Sequence, residues 1–188
     1  YLIIVSGLPR SGTSLVMQML NAGGIPILYD LDRAPDNNNP LGYFEHKRIK
    51  NLSEAKDVSW LESYKGYAVK IVSPILSQIS IPFPVKVIFL LRPLQEVIMS
   101  QRKMIHQDNS SAKSIESNKL HSIFEKHIHQ TLKILSQNPF VNVLGIDFPQ
   151  IFINPEQIIE KLDNFLDGNL DKEKMKSTIH PNLYRNKM

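Results

Sequence analysis

The sequence predicts a three-layer α/β/α fold, in which helices cover both faces of a central parallel sheet of about four to five strands. Short apolar segments recur along the chain, and longer amphipathic segments stand between them. Gly or Pro ends several of the apolar segments. Strands that alternate with helices in this way are typical of right-handed βαβ units, whose parallel strands are buried on both faces.

Each element is predicted from its own pattern of residues. The predicted strands are Leu2–Ser6, Tyr67–Val72, Val85–Leu91 and Val141–Ile146. The predicted helices are Gly12–Ala22, a short basic helix at Phe44–Ser53, Pro93–Ile105, Ser114–Gln137, and a helix that opens at Asn154-Pro155-Glu156 and ends at Gly168. Two polar segments, Asp30–Gly42 and Gln107–Lys113, predict loops, and the last twenty residues predict a polar tail.

Composition restricts the class of protein. The 188 residues, of mass 21.5 kDa, fit a single domain over residues 1–188. The absence of cysteine excludes disulfides, thiolate metal sites and cysteine nucleophiles. A net charge of +4 favours an anionic partner such as a nucleotide, phosphate or sulfate. Nucleic-acid binding is not expected, because the basic residues form no large stripe with interleaved aromatic rings.

The apolar runs predict no membrane segment. The longest is Val87–Leu91, far shorter than the roughly 20 apolar residues that a spanning helix needs. The first residues lack the basic start and cleavage site of a signal peptide. We therefore expect a cytoplasmic location.

The strongest motif follows the first predicted strand. Gly7-Leu8-Pro9-Arg10-Ser11-Gly12-Thr13-Ser14 has the outline of a P-loop, which indicates a P-loop NTPase-like fold. In such a loop, backbone N–H groups and the following helix N-terminus bind anionic oxygens, and hydroxyls such as those of Thr13 and Ser14 add donors. A Walker loop has Lys directly after its second glycine. Here Thr13 holds that place, and the cation is Arg10.

This loop resembles the 5′-phosphosulfate loop of sulfotransferases, in the Pro-Arg-Ser-Gly-Thr form of bacterial members and tyrosylprotein sulfotransferases. A second segment is similar to the family's 3′-phosphate motif, since strand Val85–Leu91 leads to Arg92 and Ser100 stands eight positions on. Pro93 directly after Arg92 departs from the family's pattern. The resemblance implies a nucleotide site, whose residues would be Pro9, Arg10, Ser11, Gly12, Thr13, Ser14, Arg92 and Ser100.

The resemblance also implies the chemistry. A sulfuryl group would move in line from 3′-phosphoadenosine 5′-phosphosulfate (PAPS) to a hydroxyl or amine, leaving the bisphosphate PAP, with no metal required. Arg10 is predicted to stabilise the leaving oxygen, because a guanidinium stays charged and can bond two oxygens. Lys70 lies in the second predicted strand, Tyr67–Val72, and the resemblance implies a place near the sulfonate. The alternative is an edge-strand lysine that faces water.

A general base should take the acceptor's proton. The resemblance to tyrosylprotein sulfotransferases points to Asp30, with Asp32, Glu45 and His46 as rivals in the same region. The alternative for Asp30 is a carboxylate that caps its own loop. The acceptor, a small molecule or a peptide, and the oligomeric state stay open.

Two other functions compete with this interpretation. A P-loop kinase or NTPase would need a Walker lysine and a Mg²⁺-binding aspartate, for which Asp147 is a candidate. A protein that binds PAP or PAPS without catalysis is the third possibility. His121, Glu125 and His129 are spaced four apart and form either a solvated helix face or a metal site. The segment His180–Arg185 is either a flap over the nucleotide or a loose terminus.

Overall fold

The computed structural model describes residues 1–30, 42–107 and 117–184. In these ranges the strands form one parallel sheet in the order β2-β3-β1-β4-β5. The strands are β1 (Leu2–Gly7), β2 (Ile27–Leu28), β3 (Ala68–Lys70), β4 (Val85–Leu91) and β5 (Val141–Asp147). The predicted parallel sheet is confirmed, with a two-residue edge strand, β2, added to it.

Helices connect the strands and cover the sheet. They are α1 (Thr13–Ala22), α2 (Lys47–Lys50), α3 (Leu52–Ala55), α4 (Ser73–Leu76), α5 (Leu94–Gln107), α6 (Ser117–Ser136), α7 (Gln150–Ile153), α8 (Pro155–Phe165) and α9 (Lys172–Ser177). Two short 3₁₀ turns span Ser59–Tyr64 and Pro181–Leu183. None of the helices in the described ranges combines the length and apolar character needed to cross a lipid bilayer.

The sheet separates two apolar clusters, which confirms the three-layer arrangement. Successive side chains of a strand point to opposite faces, so Ile3 and Val5 enter one cluster while Leu2 and Ile4 enter the other. The first cluster also holds residues of α1, α8 and α9, and the second holds Leu135 of α6. All six residues of β1 are buried, as expected for a central strand covered on both faces.

Several short helices and strands differ from those that the sequence predicts. The expected polar tail is wrong, because α9 packs Met175, which is 0% exposed, against the core. One buried residue on a six-residue helix gives no apolar periodicity to detect. The predicted helix Phe44–Ser53 is two helices, α2 and α3, with Asn51 between them. The strand predicted at Tyr67–Val72 is shorter in the structure, where β3 spans Ala68–Lys70. Helix α4 begins at Ser73, just after the end of the predicted strand.

Parallel strands bring their carboxyl ends to one edge of the sheet, which is where ligands bind in such folds. The loop at residues 7–14 follows β1, Lys70 ends β3, Arg92 follows β4 and Asp147 ends β5. Most of each predicted loop lies outside the described residues, namely residues 31–41 and 108–113. Asp32 is among them.

The opposite edge of the sheet carries an ion pair of its own. Lys86, near the start of β4, donates from Nζ to Asp167 Oδ1 at 2.6 Å and lies 4.0 Å from the centre of the Tyr1 ring. The Tyr1 hydroxyl donates to the other Asp167 oxygen at 2.7 Å. This exposed carboxylate therefore links the start of β4 to the start of β1.

We expect Gly12→Ala to destabilise the fold more than Gly24→Ala. Both glycines have positive φ, +101° and +100°, so both variants incur the same cost of about 1–2 kcal/mol for a left-handed L-residue. A Cβ at position 12 would also stand 2.1 Å from two ring carbons of Phe148, whereas nothing lies within 4 Å at position 24. Overpacking of this kind adds about 1–3 kcal/mol. Urea unfolding measures the difference, and equal losses would contradict the close packing of Phe148 on the loop.

Candidate functional site

The loop between β1 and α1 has the backbone of an anion-binding loop. Gly7, Arg10 and Gly12 all have positive φ, and the Ser11 N–H donates to the Leu8 carbonyl at 3.0 Å. Gly12 is the N-cap of α1, and no described side chain caps the first turn of that helix. The N–H groups and positive dipole end of α1 thus face the loop, an arrangement that binds anionic oxygens.

The structure brings the two predicted motifs into contact. Arg10 of the loop donates from Nε to Ser100 Oγ at 2.9 Å, and Ser100 is buried within α5. Next to it, Gln101 donates from Nε2 to the Pro9 carbonyl at 3.1 Å. Helix α5 therefore fixes the loop from the side, and the Arg10 and Ser100 side chains form one polar surface.

Arg92 joins the same surface from the end of β4. Its side chain is only 6% exposed, and its Nε donates to Glu96 Oε2 at 2.8 Å. Its Nη1 donates to the Arg10 carbonyl at 3.1 Å. The guanidinium carbon lies 4.7 Å from the ring centre of Phe148 and 5.3 Å from that of Tyr184. Two hydrogen bonds and two aromatic rings thus hold this cation beside the loop.

Three buried polar atoms at this edge have no hydrogen-bond partner among the described residues. They are Ser6 Oγ, Ser11 Oγ and Arg92 Nη2. A buried donor or acceptor left without a partner costs about 1–3 kcal/mol. A ligand with several oxygens would supply the missing partners, so these atoms mark a site built for a polar ligand.

An aromatic wall closes one side of the site. Phe148 and Phe152 lie 5.3 Å apart between ring centres, and the Tyr184 ring stacks on Phe152 at 5.1 Å. The Tyr184 hydroxyl donates to Glu96 Oε1 at 2.8 Å. Burial, together with this carboxylate, raises the pKa of Tyr184 to about 12. Burial and, to a smaller extent, Glu96 also raise the pKa of Asp147.

A second polar cluster surrounds Lys70 at the end of β3. Its Nζ donates to the Tyr43 carbonyl at 2.7 Å and lies 3.3 Å from Glu45 Oε1. Glu45 also pairs with Lys50 at 3.2 Å. The interpretation of Lys70 as an edge-strand residue facing water is wrong, because β3 lies between β2 and β1 and the side chain is 8% exposed.

Asp30 lies at the margin of this cluster. Its Oδ2 accepts the Lys47 N–H at 2.6 Å, and its own N–H donates to the Glu45 carbonyl at 3.0 Å. His46 Nδ1 is 3.9 Å from the same carboxylate oxygen. Asp30 thus fixes the segment that carries Glu45 by capping the first turn of α2, which lies beyond its own predicted loop.

The metal-site alternative finds no support in the part of the chain that the structure describes. No group of three or more histidine, aspartate or glutamate side chains there is arranged to hold an ion. Glu125 and His129 are exposed on α6. His127 on the same helix is half-buried, and its Nε2 lies 3.0 Å from Ser73 Oγ. This pair joins α6 to α4.

Sequence reasoning missed the site roles of three residues, Glu96, Tyr184 and Phe148. The spacing of Arg92 and Glu96, one helical turn apart, is a detectable signal for an ion pair. The segment containing Tyr184 was noted, but no pattern within it indicates a bond to Glu96. No sequence pattern indicates that Phe148 belongs to the site, because its packing on Gly12 depends on the tertiary fold.

Comparison with models of protein families identifies one family. The sequence model described as "Sulfotransferase domain" matches residues 2–188. The fold resembles the sulfotransferase domain from the curacin biosynthetic pathway, with a TM-score of 0.56, 17% identity, and coverage of 95% of this chain and 77% of that one.

Two further solved structures share the fold. The sulfotransferase domain from the Synechococcus PCC 7002 olefin synthase has a TM-score of 0.56 and 17% identity, over 100% of this chain and 83% of that one. Retinol dehydratase, solved with androsterone and inactive cofactor PAP, has a TM-score of 0.51 and 12% identity, over 94% and 62%. No curated protein sequence matches the chain significantly.

The Tyr184–Glu96 hydrogen bond has a consequence for stability at high pH. The folded state raises the tyrosine pKa from 10.0 to about 12, so the contribution of the protonated hydroxyl is complete below pH 10. It is then lost as the pH rises to about 12. We expect the unfolding free energy of the wild type to fall more steeply over this interval than that of Tyr184→Phe. Parallel curves for the two proteins in urea unfolding would contradict the raised pKa.

Proposed function

The chain belongs to the sulfotransferase domain family, and we propose that it transfers a sulfuryl group from PAPS to a hydroxyl or amine acceptor. The observation that carries this proposal is the contact between the two anion-binding motifs. Arg10 of the phosphate loop is bonded to Ser100, and Arg92 is bonded to the Arg10 backbone. Two cations and a helix N-terminus therefore converge at one edge of the sheet, which suits a nucleotide with phosphates at two positions.

The residues present fit this nucleotide. The unpartnered Arg92 Nη2 and Ser11 Oγ lie where a ligand oxygen would complete their hydrogen bonding. Arg92 and Ser100 would hold the 3′-phosphate, and residues 9–14 would hold the 5′-phosphosulfate. Retinol dehydratase, which shares the fold, was solved with PAP, and this supports the choice of ligand.

The reaction makes particular demands on the chain's own residues. PAPS, when bound, supplies a sulfuryl group joined to a phosphate that departs as PAP. As the S–O bond breaks, negative charge grows on the departing phosphate oxygen, and the Arg10 guanidinium is placed in the loop to stabilise it. Lys70 stands at the end of the neighbouring strand, and we assign it the sulfonate oxygens.

The acceptor must lose a proton as its oxygen or nitrogen bonds to sulfur. We propose that Asp30 takes this proton, with Glu45 as the alternative, since the Glu45 carboxylate lies beside Lys70. The side chain of Asp30 is 33% exposed and that of Glu45 22%, so both are accessible to an acceptor. The acceptor is a small molecule or a peptide that approaches this side of the loop.

The kinase alternative is not supported. The match to the sulfotransferase family model favours sulfuryl transfer over phosphoryl transfer. Thr13 occupies the place of the lysine that a Walker loop needs for the nucleotide phosphates. A protein that binds the nucleotide without catalysis differs from the enzyme only in turnover, so the acid variants below separate these two.

We expect calorimetric titration to show tight binding of PAP and no Mg²⁺-dependent binding of ATP. Arg92→Lys keeps the charge but loses the planar fork, so PAP affinity should fall roughly 10- to 100-fold, which corresponds to a lost charged hydrogen bond. Arg48→Lys is the matched control, because the Arg48 guanidinium lies 4.0 Å from the centre of the Trp60 ring, and this variant should bind PAP as the wild type does. Mg²⁺-dependent ATP binding without PAP binding would contradict the proposed function.

We expect Asp30→Asn to abolish most turnover, roughly 100-fold or more, while PAP affinity stays unchanged. The asparagine oxygen can still accept the Lys47 N–H, so this variant removes the base and keeps the cap. Asp30→Ala removes both, and Glu45→Gln tests the alternative base. If Asp30→Asn turns over normally while Glu45→Gln does not, Glu45 is the base. If the wild type binds PAP but sulfates nothing in an acceptor screen, the non-catalytic function is favoured.

A further inference from the structure

Glu96 is an acidic residue buried at the centre of a site that is otherwise built for anions. Its side chain is only 4% exposed, and both carboxylate oxygens are bonded. Oε2 accepts from Arg92 Nε at 2.8 Å, and Oε1 accepts from the Tyr184 hydroxyl at 2.8 Å. The reaction proposed above gives Glu96 no role. A buried negative charge beside bound phosphates would oppose anion binding, so its presence in this site requires another explanation.

The hydrogen bonds of Arg92 show what that role is. A guanidinium is planar, so its orientation is fixed once two of its nitrogens are bonded. Glu96 binds Nε and the Arg10 carbonyl binds Nη1, and the rings of Phe148 and Tyr184 flank the group. Nη2 is buried and has no partner among the described residues. The Nη2 amino group is therefore held in one direction before a ligand binds.

We propose that Glu96 and Tyr184 are positioning residues that orient Arg92 toward the 3′-phosphate of the nucleotide. This inference rests on the proposed function for the identity of the ligand. Glu96 acts directly on Arg92, and Tyr184 acts through Glu96 by bonding its second oxygen. Tyr184 follows the 3₁₀ turn Pro181–Leu183, so the C-terminal part of the described chain completes a donor site formed mostly by β1, β4 and α5.

Positioning predicts a particular specificity. Glu96 balances the charge of Arg92, so general attraction for anions is low and recognition depends on the direction of the Nη2 amino group. A nucleotide with a 3′-phosphate can bond to Nη2, whereas adenosine 5′-phosphate cannot. The enzyme should therefore discriminate between PAP and adenosine 5′-phosphate, and loss of Glu96 or of the Tyr184 hydroxyl should reduce this discrimination.

Calorimetry on the full chain tests the inference with PAP and adenosine 5′-phosphate as probes. We expect PAP affinity to fall about tenfold in Glu96→Gln, the range of one charged hydrogen bond, and only about threefold in Tyr184→Phe, because Tyr184 acts on Arg92 through Glu96. Affinity for adenosine 5′-phosphate should change less than twofold. Glu96→Asp should be intermediate. Matched controls are Glu62→Gln, which loses a surface partner of Lys65, and Tyr64→Phe in a separate aromatic cluster.

A second measurement needs no ligand. In ¹⁵N NMR spectra, the Arg92 Nε–H should exchange slowly with solvent in the wild type because Glu96 accepts its proton. This protection should be reduced in Glu96→Gln, whose amide oxygen still accepts but carries no charge, and in Tyr184→Phe. Both variants should keep a wild-type pattern of backbone amides. A merely structural role would move the melting temperature but leave the ratio of the two affinities unchanged.

The possible outcomes separate the two proposals. Wild-type binding of PAP with unchanged discrimination in Glu96→Gln and Tyr184→Phe would overturn the positioning role and leave the proposed function intact. Failure of the wild type to bind PAP would overturn the proposed function. In that case, unchanged Nε–H protection in both variants would overturn the orientation of Arg92 by Glu96 as well, and reduced protection would support it.

Discussion

A guanidinium that is almost completely buried is stable only where its charge is balanced and its N–H groups are bonded. Arg92 imposes this requirement at the carboxyl edge of the sheet, and much of the site is arranged to meet it. The phosphate loop offers a carbonyl, α5 offers Glu96, and the end of β5 and the C-terminal turn offer Phe148 and Tyr184. Four segments that are distant in sequence thus meet on one side chain.

The order of strands distributes the site around the loop. Strand β1 lies between β3 and β4, so the loop that follows β1 stands between Lys70 on one side and Arg92 on the other. The Arg92 side is buried and aromatic, which suits a nucleotide held in one orientation. The Lys70 side carries Glu45 and Asp30, whose carboxylates are partly accessible. Under the proposed function, the donor and the acceptor would therefore bind on different sides of the same central strand.

The sequence was most informative where chemistry and spacing are local. Alternating apolar strands and helices predicted the parallel sheet, and glycine spacing with one arginine predicted the anion-binding loop. The resemblance to the sulfotransferase family pointed to Arg92 and Ser100 as a second part of the site, and the structure places Ser100 against Arg10. These patterns are readable because each depends on backbone geometry within one strand–turn–helix unit.

What the sequence did not reveal depends on contacts between distant segments. Helix α9 is mostly polar and becomes stable by packing Met175 on the core, which no short window of sequence displays. The bond from Tyr184 to Glu96 joins the end of the described chain to α5. Asp30 was predicted as a base, and its capping bond to Lys47 became visible only when the two segments were placed side by side.

Strand β4 carries a cation at each end, and the two respond differently to dissolved salt. Lys86 pairs with Asp167, whose side chain is 62% exposed, whereas Arg92 pairs with a buried carboxylate. Mobile ions screen exposed charges over about 8 Å at physiological ionic strength and reach buried pairs far less. Rising ionic strength therefore loosens the link between the starts of β1 and β4 while the Arg92 pair persists. A salt effect on nucleotide affinity would accordingly report the charge of the ligand and not a rearranged site.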